Sequence, residues 1–222
     1  MRIALKPYLF LACLALPLAS SGCIPLGILM DKVDPTEPAK YVPARENMVV
    51  LVEDYQNPAL VEVIAEHMTR EIGEELIAHN VAPVINPDKL SVLRSDRNDE
   101  YKKMKIPAIG AELGARQILY VDITEFSTEF APGSEAVKAH AEARVKIVDC
   151  ITGQTRWPRD AVSTGYLVIV DLPFGEDLHT VNASTVRNAL GAQLAAHISR
   201  LFHEAPLKNS QDVPSYPESD LR

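Results

Sequence analysis

The thiol of Cys150 is the first group in this chain whose type could do covalent chemistry, and it stands two residues before Thr152 with no histidine near it in sequence. A catalytic thiol needs a neighbour that lowers its pKa, so a structural thiol is the expectation. Histidines occur at His67, His79, His140, His179, His197 and His203. They make no His-x-x-His pair, and the cysteines make no Cys-x-x-Cys pair, so the spacing used by zinc sites is missing. His203-Glu204 is followed by Pro206, which rules out the helix that a zinc-protease motif requires. Gly110 and Gly114 lack the Gly-Lys-Ser/Thr ending of a phosphate loop, and no Gly-x-Ser-x-Gly elbow occurs, so nucleotide and serine-hydrolase chemistry drop out. No catalytic residue, cofactor or metal set is expected.

Three other residues could serve a partner rather than a reaction. Glu53 and Asp54 follow an apolar run and would sit at the carboxyl end of a strand, where α/β sheets place ligands. Trp157 is the only tryptophan and precedes Pro158; an aromatic there is a candidate partner anchor, with core packing the competing reading. Asn182-Ala183-Ser184 has the form of a glycosylation acceptor, but Ser184 as a helix cap accounts for it as well.

The positions of these residues depend on what surrounds them. Arg2 and Lys6 precede an apolar run from Tyr8 to Leu18 and the small residues Ala19 to Gly22, which is the order of a secretory signal over residues 1–22. The run is about half of the roughly 20 residues needed to span a bilayer. Ala19-Ser20-Ser21-Gly22-Cys23 resembles the bacterial lipobox, with serine in place of the commoner leucine three residues before the cysteine. The resemblance implies acylation of Cys23 and cleavage before it, and acyl chains at about 0.8 kcal/mol per buried methylene would anchor the protein to a lipid bilayer. Loss of the leader removes Arg2 and Lys6 from the 22 basic residues and leaves all 30 acidic ones. An acidic domain argues against nucleic acid as a partner. With Cys23 acylated, Cys150 has no cysteine to pair with, so packing must supply the stability.

Residues 23–47 are proline-rich and aperiodic, as a tether would be. Met48 to Val52 predicts a buried central strand. Leu60, Ile64, Met68, Ile72 and Leu76, with Val61 and Ala65, predict an amphipathic helix to about His79. Val81 to Ile85 predicts a short edge strand interrupted by Pro83, and Asn86 to Lys105 a solvated loop or exposed short helix. A short helix opens at Pro107 and ends at Gly114, followed by a strand over Gln117 to Thr124. Alternation from Lys138 to Asp149 predicts a half-buried strand, with a hairpin return over Gln154 to Trp157 and another strand from about Val162 to Val170. Val186, Leu190, Leu194, Ile198, Leu201 and Phe202 predict a closing helix capped by Ser184. The expected fold is a mixed-sheet α/β sandwich: strand, helix, strand, helix, strand, then antiparallel strands and a C-terminal helix, in one domain over 48–204 with a disordered polar tail over 205–222.

Four segments carry a resemblance to a family. The opening strand with Glu53 to Asn57 and the long helix, the step Glu112-Leu113-Gly114-Ala115, the strand Gln117 to Asp122, and Val145 to Asp149 with Thr152-Gly153 are together similar to the envelope lipoproteins. That family includes the curli-export channel subunit, the penicillin-binding-protein activator lipoprotein and the N-terminal domain of the TolB type. The resemblance implies a scaffold that binds other envelope components without a catalytic site. It departs from curli channel subunits in one respect: only about a dozen residues, Phe126 to Val137, separate two strands, whereas a lipid-facing strand needs about ten alternating residues with aromatic ends.

The function expected is therefore a lipid-anchored, non-enzymatic accessory or scaffold in a bacterial envelope assembly, bound to an envelope protein partner or to copies of itself. Ile24 and Pro25 lack the aspartate associated with inner-membrane retention, so resemblance to lipoprotein sorting implies the outer membrane, facing the periplasm, in a host with two membranes. The alternatives are an oligomeric secretion-channel subunit of the curli-export type and an envelope hydrolase with a site scattered in sequence.

Overall fold

A computed structural model describes residues 36–53, 58–130, 137–161, 164–173 and 183–206. The chain divides into two compact units, Thr36–Ala205 and a second made of Met1–Pro35 with Pro206–Arg222, and of the second only Pro206 is described. The expected leader, Cys23, Asp54, His179, Asn182 and the tail beyond Pro206 lie outside the described residues.

The β-branched run forms β2 (Met48–Glu53), which pairs in parallel with β3 (Gln117–Phe130), Met48 opposite Gln117 and Glu53 opposite Asp122. β3 pairs antiparallel with β4 (Val137–Asp149), with a register shift between Ile123 and Glu125. β4 then carries two strands on its far edge. The short β5 (Thr155–Trp157) pairs at Ile147 and Val148, and β6 (Tyr166–Pro173) pairs along Lys138 to Val145. The result is a five-stranded mixed sheet, the α/β architecture that the order of elements implied. β2 is buried on both faces, but it ends the sheet rather than lying at its centre. On its outer side the segment expected as a strand over Val81 to Ile85 contributes one parallel bridge, Met48 to Val84. Pro83 has no N–H to extend a ladder; its carbonyl accepts from Met48 N at 2.8 Å, and Ile85 N donates to Met48 O at 2.8 Å.

Period-two burial sends the two faces of the sheet to different partners. Val50, Val52, Leu119, Val121, Ile123 and the odd-numbered residues from Ala139 to Ile147 face α1 (Pro58–Ala78) and α5 (Ala183–Ser199). Ile64, Met68, Ile72 and Leu76 from α1, and Val186, Leu190, Leu194 and Ile198 from α5, meet them. These are the residues that the fourfold spacing singled out. Val49, Leu51, Ile118 and Tyr120 face the other way, into a smaller core with Leu90, Leu93 and Ile109.

That smaller core rests on three short helices, α2 (Pro87–Asp96), α3 (Asn98–Tyr101) and α4 (Ile106–Glu112). The charged stretch, expected as a solvated loop or an exposed short helix, is thus largely helical, but it is not wholly exposed. Asn86 caps α2 by accepting from Asp88 N at 2.8 Å, with Pro87 in the first turn, and Leu90 and Leu93 are buried on one side. The helix is amphipathic through only two residues, which is why charge hid it. Gly114, after α4, adopts φ +80, the left-handed conformation that a helix end favours in glycine. No helix among the described residues is long and apolar enough to cross a membrane.

Two further differences concern length. Residues Thr36 to Asn47, expected in the tether, belong to the same compact unit as the sheet: the amides of Lys40 and Tyr41 donate to Leu201 O at 2.8 and 3.0 Å, and Tyr41 stacks on Trp157. The strands either side of the expected spacer also run further than alternation suggested, pairing out to Phe130 opposite Val137. Two small strands, β1 (Thr36–Glu37) and β7 (Ala205–Pro206), complete the described elements.

Candidate functional site

Trp157, the candidate anchor, is 9% exposed. It lies among Tyr41 at 5.8 Å, Tyr166 at 5.1 Å and the edge of Phe202 at 5.7 Å, a cluster that closes one end of the main core. It therefore presents no open surface to a partner. Glu53 does sit at the carboxyl end of β2, as expected, but it is latched internally. The Tyr101 hydroxyl donates to Glu53 Oε1 at 2.8 Å, Arg94 Nε donates to that hydroxyl at 3.1 Å, and Arg94 Nη2 donates to Val52 O at 3.3 Å. Burial pushes the Tyr101 phenol well above its usual range, so the hydroxyl stays a donor. Arg94 and Tyr101 come from the charged stretch, whose sequence gave no sign that two of its side chains would turn inward onto β2.

A second internal network occupies the β4–β5 turn. Asp149 Oδ1 accepts from the amides of Ile151 and Thr152, both at 2.8 Å, and Asp149 Oδ2 accepts from Arg156 Nη2 at 2.6 Å and Nε at 3.0 Å. Arg156 also reaches Glu46 at 2.9 Å and Gln117 at 3.3 Å. The backbone donors first, and the guanidinium second, hold the Asp149 carboxyl well below its usual range. Cys150, next in sequence, is buried beside Gly110 and Ile118, and burial pushes its thiol up to about 11. It remains a thiol at neutral pH, which matches the structural role expected of it.

The even-numbered residues of β4 carry the surface that these networks leave open. His140, Glu142 and Arg144 pair with Asp171, Ile169 and Leu167 of β6. Ile169 is 46% and Leu167 40% exposed, so two aliphatic side chains stand in a row of charges on a sheet face. At one end of this row His140 Nδ1 bonds Asp171 Oδ1 at 2.8 Å, while its Nε2 lies 3.5 Å from Glu142 and 3.9 Å from Glu125. The Asp171 hydrogen bond is the main reason that the His140 pKa is raised. Three carboxylates around one imidazole favour its protonated form.

A second histidine group lies on the opposite side of the sheet, where α1 meets the segment after α5. Glu75 Oε2 is 3.4 Å from His79 Nε2, and the His79 ring stacks on His203 at 3.7 Å and 3°. His203 Nδ1 contacts Glu204 O at 2.9 Å; its Nε2 is shut off from solvent and takes no hydrogen bond among the described residues. The group adjoins an open groove of about 330 Å³ lined by Glu71, Glu74 and Glu75 of α1 and by Ala192, Ala195 and Ala196 of α5. Burial raises the Glu71 pKa there. The Glu75–His79 spacing of four was legible in sequence as one helical face. The arrival of His203, from the other end of the chain, was not.

No protein-family model matches this chain, and no curated protein matches it by sequence. Among solved structures it is similar to the PelC dodecamer from Paraburkholderia phytofirmans, at 11% identity and a TM-score of 0.38, over 76% of this chain and 96% of that one. Lipoprotein GNA1162 from Neisseria meningitidis is similar at 13% identity and a TM-score of 0.41, over 72% of this chain and 98% of that one. Protein XCC0632 from Xanthomonas campestris gives 10%, 0.42, 74% and 84% for the same measures. By name, one of the three is a dodecamer and another a lipoprotein, and at these TM-scores none of them assigns this chain to a family.

Proposed function

We propose that this protein is a bacterial envelope lipoprotein, anchored through acylated Cys23, whose α/β unit acts as a non-enzymatic accessory or scaffold in an envelope assembly. The open face of β4 and β6 is the observation that carries the reading. Two exposed aliphatic residues, Leu167 and Ile169, sit between an acidic end at Glu142 and Asp171 and a basic end at Arg144 and Lys146. An apolar strip rimmed by charge is the composition of a docking surface. The groups that could have carried chemistry are committed elsewhere: Cys150 as a protonated buried thiol and Glu53 in its bond with Tyr101. The lipobox-like sequence before Cys23 supports the anchor, and Ile24 and Pro25 support outer-membrane placement facing the periplasm in a host with two membranes.

The test is in-cell photo-cross-linking from position 169, with position 63, on the exposed side of α1, as the control. An adduct from 169 and none from 63, lost when Cys23→Ala releases the protein from the membrane, supports tethered docking. A ladder made only of the chain itself would favour an oligomeric subunit of the curli-export kind. Equal labelling from both positions, or an unchanged adduct in the released protein, overturns the docking face. A hydrolase would be revealed instead by substitutions at Glu53, Cys150 or a histidine that abolish function in a folded protein.

A further inference from the structure

We propose that Glu75, His79 and His203 form a binding site for a divalent transition-metal ion at the end of the groove between α1 and α5. Zinc and similar ions take imidazole nitrogen and carboxylate oxygen at about 2.0–2.2 Å in a tetrahedral set, which places ligand atoms roughly 3.3 Å from each other. Glu75 Oε2 and His79 Nε2 already stand 3.4 Å apart, and one ligand atom from each of the three residues lies within 4.8 Å of the others. The elements fix this arrangement. Glu75 and His79 share a face at the end of α1, and His203 follows Leu201 and Phe202, both seated in the core.

His203 is poised for the role. A backbone carbonyl can only accept, so its contact with Glu204 O places the proton on Nδ1 and leaves the lone pair of the neutral ring on Nε2. That is how metal-bound histidines are held: the outer nitrogen tied to a carbonyl and the inner one free to ligate. Here the inner nitrogen is closed to solvent and has no hydrogen-bond partner among the described residues, an uncompensated state that a cation at that atom would relieve. The rings lie 3° from parallel, so one must turn about its Cβ–Cγ bond to converge on an ion, and the exposure of His79 leaves room for it. Glu71 and Glu74, lining the adjoining groove, add negative field.

The His140 group is chemically different. It has one imidazole, its Nδ1 is bonded to Asp171 at 2.8 Å, and its three carboxylates favour the protonated ring, so a metal there competes with a proton.

The experiment is zinc titration of the full chain in detergent, stripped of metal beforehand and read by competition with a chromophoric chelator. One equivalent of Zn²⁺ is expected to bind, weakened at least roughly tenfold by His79→Gln and by His203→Gln and unchanged by His140→Gln. Unchanged binding in both of the first two variants, or loss in the third, overturns the site. If either of the first two fails to fold, the Co²⁺ spectrum of the His140→Gln variant decides. An intense visible band from a four-coordinate site with nitrogen ligands upholds the site; a weak six-coordinate spectrum, or none, overturns it.

Discussion

The two faces of the one sheet are built from the same strands and meet different fates. Toward α1 and α5 the sheet turns Met48, Val50, Val52, Leu119, Val121, Ile123 and the odd-numbered residues from Ala139 to Ile147, all apolar, and the facing helices supply Met68, Ile72, Leu76, Leu190, Leu194 and Ile198. Toward α2, α3 and α4 only the first part of the sheet is covered, by a core less than half as populous. Beyond Tyr120, where Lys146 stands over the ring at 5.4 Å, the same face carries His140, Glu142, Arg144, Leu167, Ile169 and Asp171. One face is spent on stability. The other divides between a small core and a surface with chemistry of its own, and the difference teaches that strand alternation alone does not say what the outward residues are for.

The contrast can be broken most forcefully at the covered face. Leu194→Ala, at a fully buried position between α5 and the sheet, is expected to cost about 2–5 kcal/mol in urea denaturation; a loss under 1 kcal/mol would mean that this face is not the main core. Next comes Gly110→Ala in the smaller core. Its Cβ would stand 2.4 Å from Cys150 Sγ and 2.8 Å from Ile118, so overpacking should cost about 1–3 kcal/mol, with part restored when Cys150→Ala is added. Full restoration would show that the sulfur alone sets the fit.

Asp149→Asn, at the edge of that smaller core, should cost about 1–2 kcal/mol through its charge-assisted bonds. Because the folded pKa of Asp149 lies below its unfolded value, this contribution is present above the ordinary carboxylate range and is lost as pH falls toward the folded pKa. The cost of the substitution measured near neutral pH should therefore shrink in acid. His140→Gln on the open face should run the other way with a smaller amplitude. The raised folded pKa of His140 makes its contribution full below the ordinary imidazole range and absent once pH has risen through the folded value. Equal effects of His140→Gln at low and high pH would mean that the ring is not held protonated by Asp171.

Ile169→Ser is expected to change stability least, within about 0.5 kcal/mol, while reducing cross-linking from that face. A stability loss like that of Leu194→Ala would show that the face is covered, and would remove it as a docking surface.

Much of the architecture was legible because it rests on periodicity. The fourfold spacing from Ile64 to Leu76 and from Val186 to Ile198 found both long helices, and alternation found β4 to within a residue of its start. What escaped was held by few apolar residues or by groups far apart in sequence. α2 buries only Leu90 and Leu93; Pro83 reduced an expected strand to a bridge; and the extra length of β3 follows a register shift between Ile123 and Glu125, which breaks the alternation so that Phe126, paired with Ala141, falls on an even position. Trp157 was visible as an aromatic of two possible roles, and only Tyr41, Tyr166 and Phe202 around it made it core.

By itself, then, the sequence determined the order of the main strands and of the two long helices, and the absence of a histidine near the thiol in sequence, because local spacing and residue type act through nearest neighbours along the chain. The tertiary structure alone decided that Glu53 would be bonded by Tyr101, that His140 would meet Asp171 across two strands, and that His203 would stack on His79. These are contacts between residues distant in sequence, and their geometry is set by packing of the elements rather than by any pattern within them.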